Sequence, residues 1–187
     1  VGKGMSITKR VVGESIYQKP GLSWPRRTAN FAPHVIPENF ILSSSRYVAI
    51  GNLDEMTAIC ALWNSVYFDF IIKLSMGMES GNPEFINGAV NRLPFIKFSP
   101  EEESTLKSFT LIQVENIKTR YQYNTESLYF KFLSCFFDNS ITGIIDEVTV
   151  GLQTTREKYV QNMKALNDFV FDMFSIDEND KMIVKEA

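Results

Sequence analysis

The sequence has little of what enzymes use to build a catalytic centre. It contains one histidine, His34, and no phosphate-binding GxxxxGK[ST] loop, no CxxC, no HExxH and no Pro-Asp element followed by a Glu-x-Lys nuclease core. A lone histidine cannot form a histidine-based metal site, and no nucleophile with its base accompanies it. The sequence therefore predicts no self-contained catalytic site and no metal site, with His34 structural or exposed.

Long apolar runs are also missing. No run reaches the roughly 18 residues that a membrane-spanning helix needs, and the chain does not open on a signal-peptide pattern. The two cysteines, Cys60 and Cys135, lie in apolar helical patterns, which predicts buried, reduced thiols. We expect a cytoplasmic protein without a membrane partner. The start at Val1 suggests a piece of a longer protein.

Four prolines in the first 50 residues exclude a long helix there. β-branched and aromatic residues predict strands over 7–16 and 40–50, with a short alternating piece at Leu22 and Trp24. These patterns indicate a small, loop-rich β unit.

Helical patterns dominate the rest of the chain. One long, mostly apolar helix is predicted over 54–76, capped by Asn52 or Asp54 and ended by Gly77. Ser99-Pro100 followed by three glutamates is typical of a helix start, and that helix should run towards Tyr121. Further helices are expected at about 125–137 and 155–173, with a break around 138–143.

The predicted fold class is therefore α+β. Residues 1–98 should form a β-rich unit with one long buried helix, and residues 99–187 a helical bundle.

Charge is distributed unevenly along the chain. The net charge is −3, but residues 1–50 hold seven basic and two acidic residues, a net of +5, whereas the remainder carries −8. Such polarity lets an acidic protein bind a polyanion on one face. The alternative is that the N-terminal loops carry lysine and arginine for solubility alone.

Several side chains of the basic part are suited to DNA. Arginine can grip guanine or a phosphate in two places, and the serines before Arg46 could donate to phosphate. Three alternatives stay open: ion pairing for the arginines, packing for Trp24, and a solvated edge for the serines. The candidate DNA-binding residues are Lys19, Trp24, Arg26, Arg27, Ser44, Arg46 and Arg92.

Four segments of the chain carry a resemblance to a known family. They are Gly21-Leu22-Ser23-Trp24-Pro25-Arg26-Arg27-Thr28, Leu62-Trp63-Asn64-Ser65, Gly88-Ala89-Val90-Asn91-Arg92-Leu93-Pro94 and the tail from Leu166 to Ile176. This order resembles the C-terminal target-recognition region of adenine methyltransferases in which the methylase and the DNA reader share one polypeptide. The family's tail has a leucine–tyrosine–glycine-like step before an acidic helix start. Here Met173-Phe174-Ser175 stands in its place, and Ser175 is the clear departure.

The resemblance implies a function. In such proteins, which include type IIG restriction–methylation enzymes and the adenine methyltransferases of BREX-type phage defence, the N-terminal methylase uses S-adenosylmethionine and the C-terminal region selects the DNA site. The chain would be a sequence-specific duplex DNA recognition module, with duplex DNA and its own polypeptide's methylase domain as partners. It would hold no cofactor and perform no reaction by itself.

One short segment could be mistaken for methylase chemistry. Asn82-Pro83-Glu84-Phe85 is superficially similar to the Asn-Pro-Pro-aromatic loop of amino-methyltransferases, but Glu84 replaces the second proline and no Gly-rich cofactor loop follows a strand. The segment is predicted to be a turn. Two other function classes remain: a helical scaffold for protein–protein interaction, and a small enzyme of unknown type.

Overall fold

The chain has an α+β fold, as predicted. The computed structural model describes residues 17–40, 46–77, 83–94, 96–131 and 141–186. Its strands are β1 (Gly21–Pro25), β2 (His34–Ile36) and β3 (Arg46–Ile50). Its helices are α1 (Leu53–Trp63), α2 (Val66–Ser75), α3 (Asn87–Val90), α4 (Pro100–Tyr121), α5 (Ile141–Met173) and α6 (Glu178–Glu186).

The three strands form one antiparallel sheet in the order β2-β1-β3. Gly21 is the first residue of the central strand, where a Cβ atom would overlap the carbonyl oxygen of Ala49. The glycine is thus required by the close approach of a neighbouring strand. The strand expected over 40–50 begins only at Arg46, while 7–16 and 41–45 lie outside the described residues.

The long helix predicted over 54–76 is two helices bent by 81°. Asn52 caps α1 as expected, by accepting from the backbone of Asp54 at 2.9 Å. The break follows from Asn64, whose side-chain amide donates to the carbonyls of Pro33 and Cys60, and from Ser65, whose hydroxyl accepts from Phe68 and starts α2. Gly77 follows α2 with a φ of +72°, a value that suits glycine.

Helix α1 is buried between the sheet and α4. This burial was predicted, because apolar residues cover most of the helix. Its residues Ala58, Ala61 and Leu62 share a core with Leu106 of α4 and Leu166 of α5. The hydroxyl of Thr110 on α4 also donates to the carbonyl of Thr57 at 2.8 Å. The core therefore runs across residue 98, where the sequence suggested a division between two parts.

Helices α4 and α5 lie antiparallel. The side chain of Asn162 donates to the carbonyl of Phe109 at 3.1 Å, and that of Gln113 to the carbonyl of Tyr159 at 3.4 Å. Helix α4 starts as predicted, with a capping box between Ser99 and Glu102.

Two helix predictions in the second half were wrong in the described residues. Residues 122–131 form turns, closed by a hydrogen bond from the Lys131 amide to the Gln122 carbonyl at 3.0 Å, where a helix was expected from 125. Helix α5 already begins at Ile141 and not near residue 155. The rest of the helix expected over 125–137 lies outside the described residues.

Helix α5 ends in a Schellman motif. The amide of Ile176 donates to the carbonyl of Phe171 at 2.9 Å and the amide of Ser175 to that of Asp172 at 3.0 Å, with Ser175 at a φ of +53°. This left-handed conformation favours glycine. Ser175, which stands where the resembled family has a glycine-like step, therefore has a backbone conformation that glycine would adopt without strain.

Within the described residues, no single helix combines the length and the apolar character needed to cross a membrane. Helices α1 and α2 reach that combination only when taken together across their bend.

Candidate nucleic-acid interface

Two candidate arginines meet one carboxylate at the end of the central strand. The Nε of Arg26 donates to Oε1 of Glu84, and the guanidinium of Arg27 donates to Oε2 of Glu84 at 2.9 Å. The side chains of Arg26 and Arg27 remain 55% and 67% exposed. Hydrogen bonds from Arg27 and then Arg26 lower the pKa of Glu84. The two guanidinium groups are therefore held by Glu84 but remain accessible to solvent.

The backbone holds this cluster together. The amide of Phe85 donates to the carbonyl of Arg26 at 2.8 Å, and Arg27 and Glu84 form an isolated antiparallel bridge. In the described part of the segment 82–85, which was predicted to be a turn, Glu84 forms this strand bridge. Sequence reasoning missed Glu84 because its partners lie 57 and 58 residues away, and no periodic pattern connects such positions.

Arg46 adds a third cation at the same end of the sheet. It pairs in register with Pro25, directly before Arg26. The pKa of His34 is lowered, first by partial loss of hydration and second by the positive charge of Arg46, which places that charge near the imidazole. Among the described residues, these three arginines and the one carboxylate together carry a net charge of +2.

Lys19 and Arg92 do not join this cluster. Lys19 is exposed and lies just before the opposite end of β1, and β1 itself is about 13 Å long at the usual rise of a strand. Arg92 donates to the carbonyl of Ser75 at 3.4 Å. Ser44 lies outside the described residues.

Trp24 is a core residue. Its ring packs against Phe31 and Trp63, and the residue is only 2% exposed. Its indole N–H donates to the Phe85 carbonyl at 2.9 Å. A ring that is buried in the core and whose N–H is already bonded offers nothing to a base. The packing alternative is therefore confirmed, and the assignment of Trp24 to DNA binding was wrong.

Cys60 is a buried free thiol, as predicted. Burial raises the pKa of the thiol to about 12, which keeps it protonated and unreactive at neutral pH. Cys135 lies outside the described residues. In the part of the chain that the structure describes, no group of three or more histidine, cysteine, aspartate or glutamate side chains is placed to hold a metal ion.

The arrangement at the sheet end can bind anions. Exposed guanidinium groups in a fixed orientation suit phosphate oxygens and the acceptor edge of guanine. Comparison with known proteins found no matching family model and no matching curated protein. The resemblance to target-recognition regions thus stays a prediction from the sequence.

Proposed function

We propose that the chain is a duplex DNA recognition module of a restriction–modification or phage-defence adenine methyltransferase, and that it performs no reaction by itself. The observation that carries this proposal is the cluster of Arg26, Arg27 and Arg46 at one end of the sheet. Phosphate contacts from these arginines would give affinity and orientation, and the guanidinium group of one of them would be free to read a base edge.

Glu84 does not argue against DNA binding. An exposed ion pair is weak, because water solvates both partners, and it can be exchanged for a phosphate. A phosphate would displace the carboxylate and pair with the same guanidinium groups. Glu84 would then act as a competitor that DNA replaces.

The rest of the parent protein would supply the chemistry. A methylase domain N-terminal to this chain would bind S-adenosylmethionine and flip the target adenine. Incubation of the isolated chain with labelled S-adenosylmethionine and duplex DNA should transfer no label. Incorporation above the protein-free control would contradict the non-catalytic assignment.

DNA titrations at several salt concentrations test the recognition role. Replacing Arg26 and Arg27 together by alanine should weaken binding and lower the slope of log K against log salt by about one for each phosphate that is no longer neutralised. The matched control is replacement of Lys158 and Lys164 on α5, which should change much less. Equally weakened binding by both double variants, or unchanged binding by the arginine variant, would reject this surface.

Glu84→Gln should change DNA affinity in the opposite direction to the double arginine variant. Removing the carboxylate charge should strengthen binding to duplex DNA of any sequence and steepen the salt dependence, because both guanidinium groups are freed of their competing anion. Glu38→Gln serves as the control, because Glu38 is exposed and follows Ile36, which pairs with Gly21 at the opposite end of the sheet. Unchanged or weakened binding by Glu84→Gln would show that DNA does not contact the arginines.

A helical scaffold for protein–protein interaction is the second candidate function. It is favoured by large apolar side chains exposed on α4 and α5, among them Ile117, Tyr121 and Val160. The two candidates use different surfaces. Steep salt dependence of DNA binding would establish the first without excluding the second.

A further inference from the structure

The seam between α4 and α5 opens into a cleft of about 710 Å³. Its walls come from both helices: Asn116, Ile117, Arg120, Tyr121, Leu152, Thr155, Arg156 and Tyr159. Next to Leu152, Gly151 lets the turn after α4 approach α5 closely, because a Cβ there would overlap the hydroxyl of Tyr123.

A second cleft of about 360 Å³ continues from the first. Tyr159 belongs to the walls of both, and the second is lined further along α5 by Val160, Met163, Lys164, Asn167 and Asp168, with Val66 of α2 and Lys185 of α6. Together the two clefts follow α5 from residue 152 to residue 168, about 24 Å at the rise of a helix. The length corresponds to four to five helical turns.

The groove is positively charged. Arg120 and Arg156 line the first cleft and Lys164 and Lys185 the second, whereas Asp168 is the one acid among the lining residues. Outside the lining, Glu178 lies near enough to Lys185 for this cation to help lower its pKa. Within the described residues, none of these four cations lies within ion-pair distance of a carboxylate. The acidic half of the sequence thus carries a basic groove, so its occupant should be acidic.

The floor of the groove is apolar and open to solvent. Val160 is 56% exposed, Ile117 and Tyr121 48% each, and Tyr159 47%. Contiguous exposed apolar side chains rimmed by charge are typical of a surface that binds protein. The outer surface of duplex DNA consists of phosphate and sugar, which would leave this floor uncovered.

We infer that this groove binds an acidic amphipathic helix of a protein partner. Apolar side chains of the partner, spaced at i, i+3, i+4 and i+7, would cover Ile117, Tyr159 and Val160. Carboxylates on its flanks would pair with Arg120 and Arg156 at one end and with Lys164 and Lys185 at the other. The inference deepens the second candidate function and does not depend on DNA recognition by the arginine cluster.

A designed peptide tests the inference on the full chain. The probe is a fluorescein-labelled helix of about 17 residues, with leucines at the stated spacing and glutamates on both flanks; a second probe carries lysines in place of the glutamates. Anisotropy should show saturable binding of the acidic probe with a dissociation constant below about 100 μM, and none of the basic probe.

Charge reversal locates the binding. The double variant Arg120→Glu with Arg156→Glu should raise the dissociation constant of the acidic probe at least about tenfold. The double variant Lys97→Glu with Lys158→Glu, an equal charge change outside the groove, should leave it unchanged. Val160→Asn tests the floor and should also weaken binding. Circular dichroism and thermal melting establish that each variant is folded.

Four results would overturn the inference. They are absence of saturable acidic-probe binding, equal binding of both probes, equal effects of the two charge reversals, and conversion of a dimer to a monomer by Arg120→Glu with Arg156→Glu in light scattering. The last would make a second copy of this chain the occupant. A failure here leaves the DNA titrations on Arg26 and Arg27 unaffected, so the two proposals fail separately.

Discussion

At the scale of single residues, burial decides which polar groups of this chain can act. Trp24 and Cys60 have side chains suited to stacking and to nucleophilic chemistry, but both are enclosed in the core. Arg26 and Arg27 stay exposed although they share a carboxylate. Residue type alone therefore suggested a DNA-binding role for Trp24 that its burial excludes. The pairing of Glu84 with the arginines became visible only through long-range contacts.

Cys60 should resist thiol reagents in the native protein. Its burial and its pKa of about 12 remove both access and thiolate. Treatment with iodoacetamide at pH 8, followed by peptide mass mapping, should leave Cys60 unmodified in buffer and modify it fully in denaturant. Rapid native labelling of the Cys60 peptide would contradict the enclosed position.

His34 should titrate below the value of about 6.5 that is usual for histidine, because reduced hydration and Arg46 disfavour its charged form. The unfolded chain then binds more protons as pH falls through 6.5 towards the folded pKa, so that the contribution of His34 to stability decreases over that interval and is constant below it. The chain has one histidine, so a single imidazole NMR signal reports the midpoint. Arg46→Ala should raise the midpoint, and a midpoint above 6.5 in the unaltered protein would contradict the placement.

At the scale of elements, the ends of helices decide how the chain changes direction. Asn64 and Ser65 interrupt a continuous apolar pattern and turn the chain by 81°. The Schellman motif at Ser175 similarly ends α5 before Asp177 starts the last helix by accepting from the Asp180 amide at 2.9 Å. These hydrogen bonds override the apolar periodicity that the sequence displays.

Ser175→Gly should stabilise the protein by about 0.5–1 kcal/mol. Glycine adopts the positive φ at this position without the steric cost of a Cβ, which exceeds its added freedom in the unfolded chain. Ser104→Gly, in the exposed interior of α4, should destabilise by a similar amount. Urea unfolding monitored by circular dichroism measures both, and equal signs would contradict the motif.

At the scale of the whole molecule, one core connects the sheet, α1 and the α4–α5 hairpin. Leu62 of α1, Leu106 of α4 and Leu166 of α5 belong to the same buried cluster, and Trp63 packs against both this cluster and the one around Trp24. Basic and acidic halves of the sequence therefore fold against each other. We expect them to unfold together.

Leu166→Ala should destabilise the chain by about 2–5 kcal/mol, the range for a leucine removed from a packed core. Tryptophan fluorescence reports mainly the sheet side, through Trp24 and Trp63, whereas circular dichroism at 222 nm reports the helices. Both transitions should coincide and shift together in urea. Two separate transitions, with only the helical one moved, would instead support a division at residue 98.

Local chemistry in the sequence determined several features of this protein. The helix starts at Asn52 and Ser99, the end at Gly77, the burial of Cys60 and the α+β class were all confirmed. Each depends on neighbouring residues: a cap serves the next turn, and an apolar stripe indicates burial whatever covers it.

Tertiary structure alone decided the candidate surfaces. The Arg26–Glu84–Arg27 cluster joins positions almost 60 residues apart, and the basic groove gathers cations from α4, α5 and α6 within a half whose net charge is negative. Charge counted along a sequence averages over all faces of a helix, whereas a partner meets only one face. That difference is why the sequence predicted one basic surface and the fold presents two.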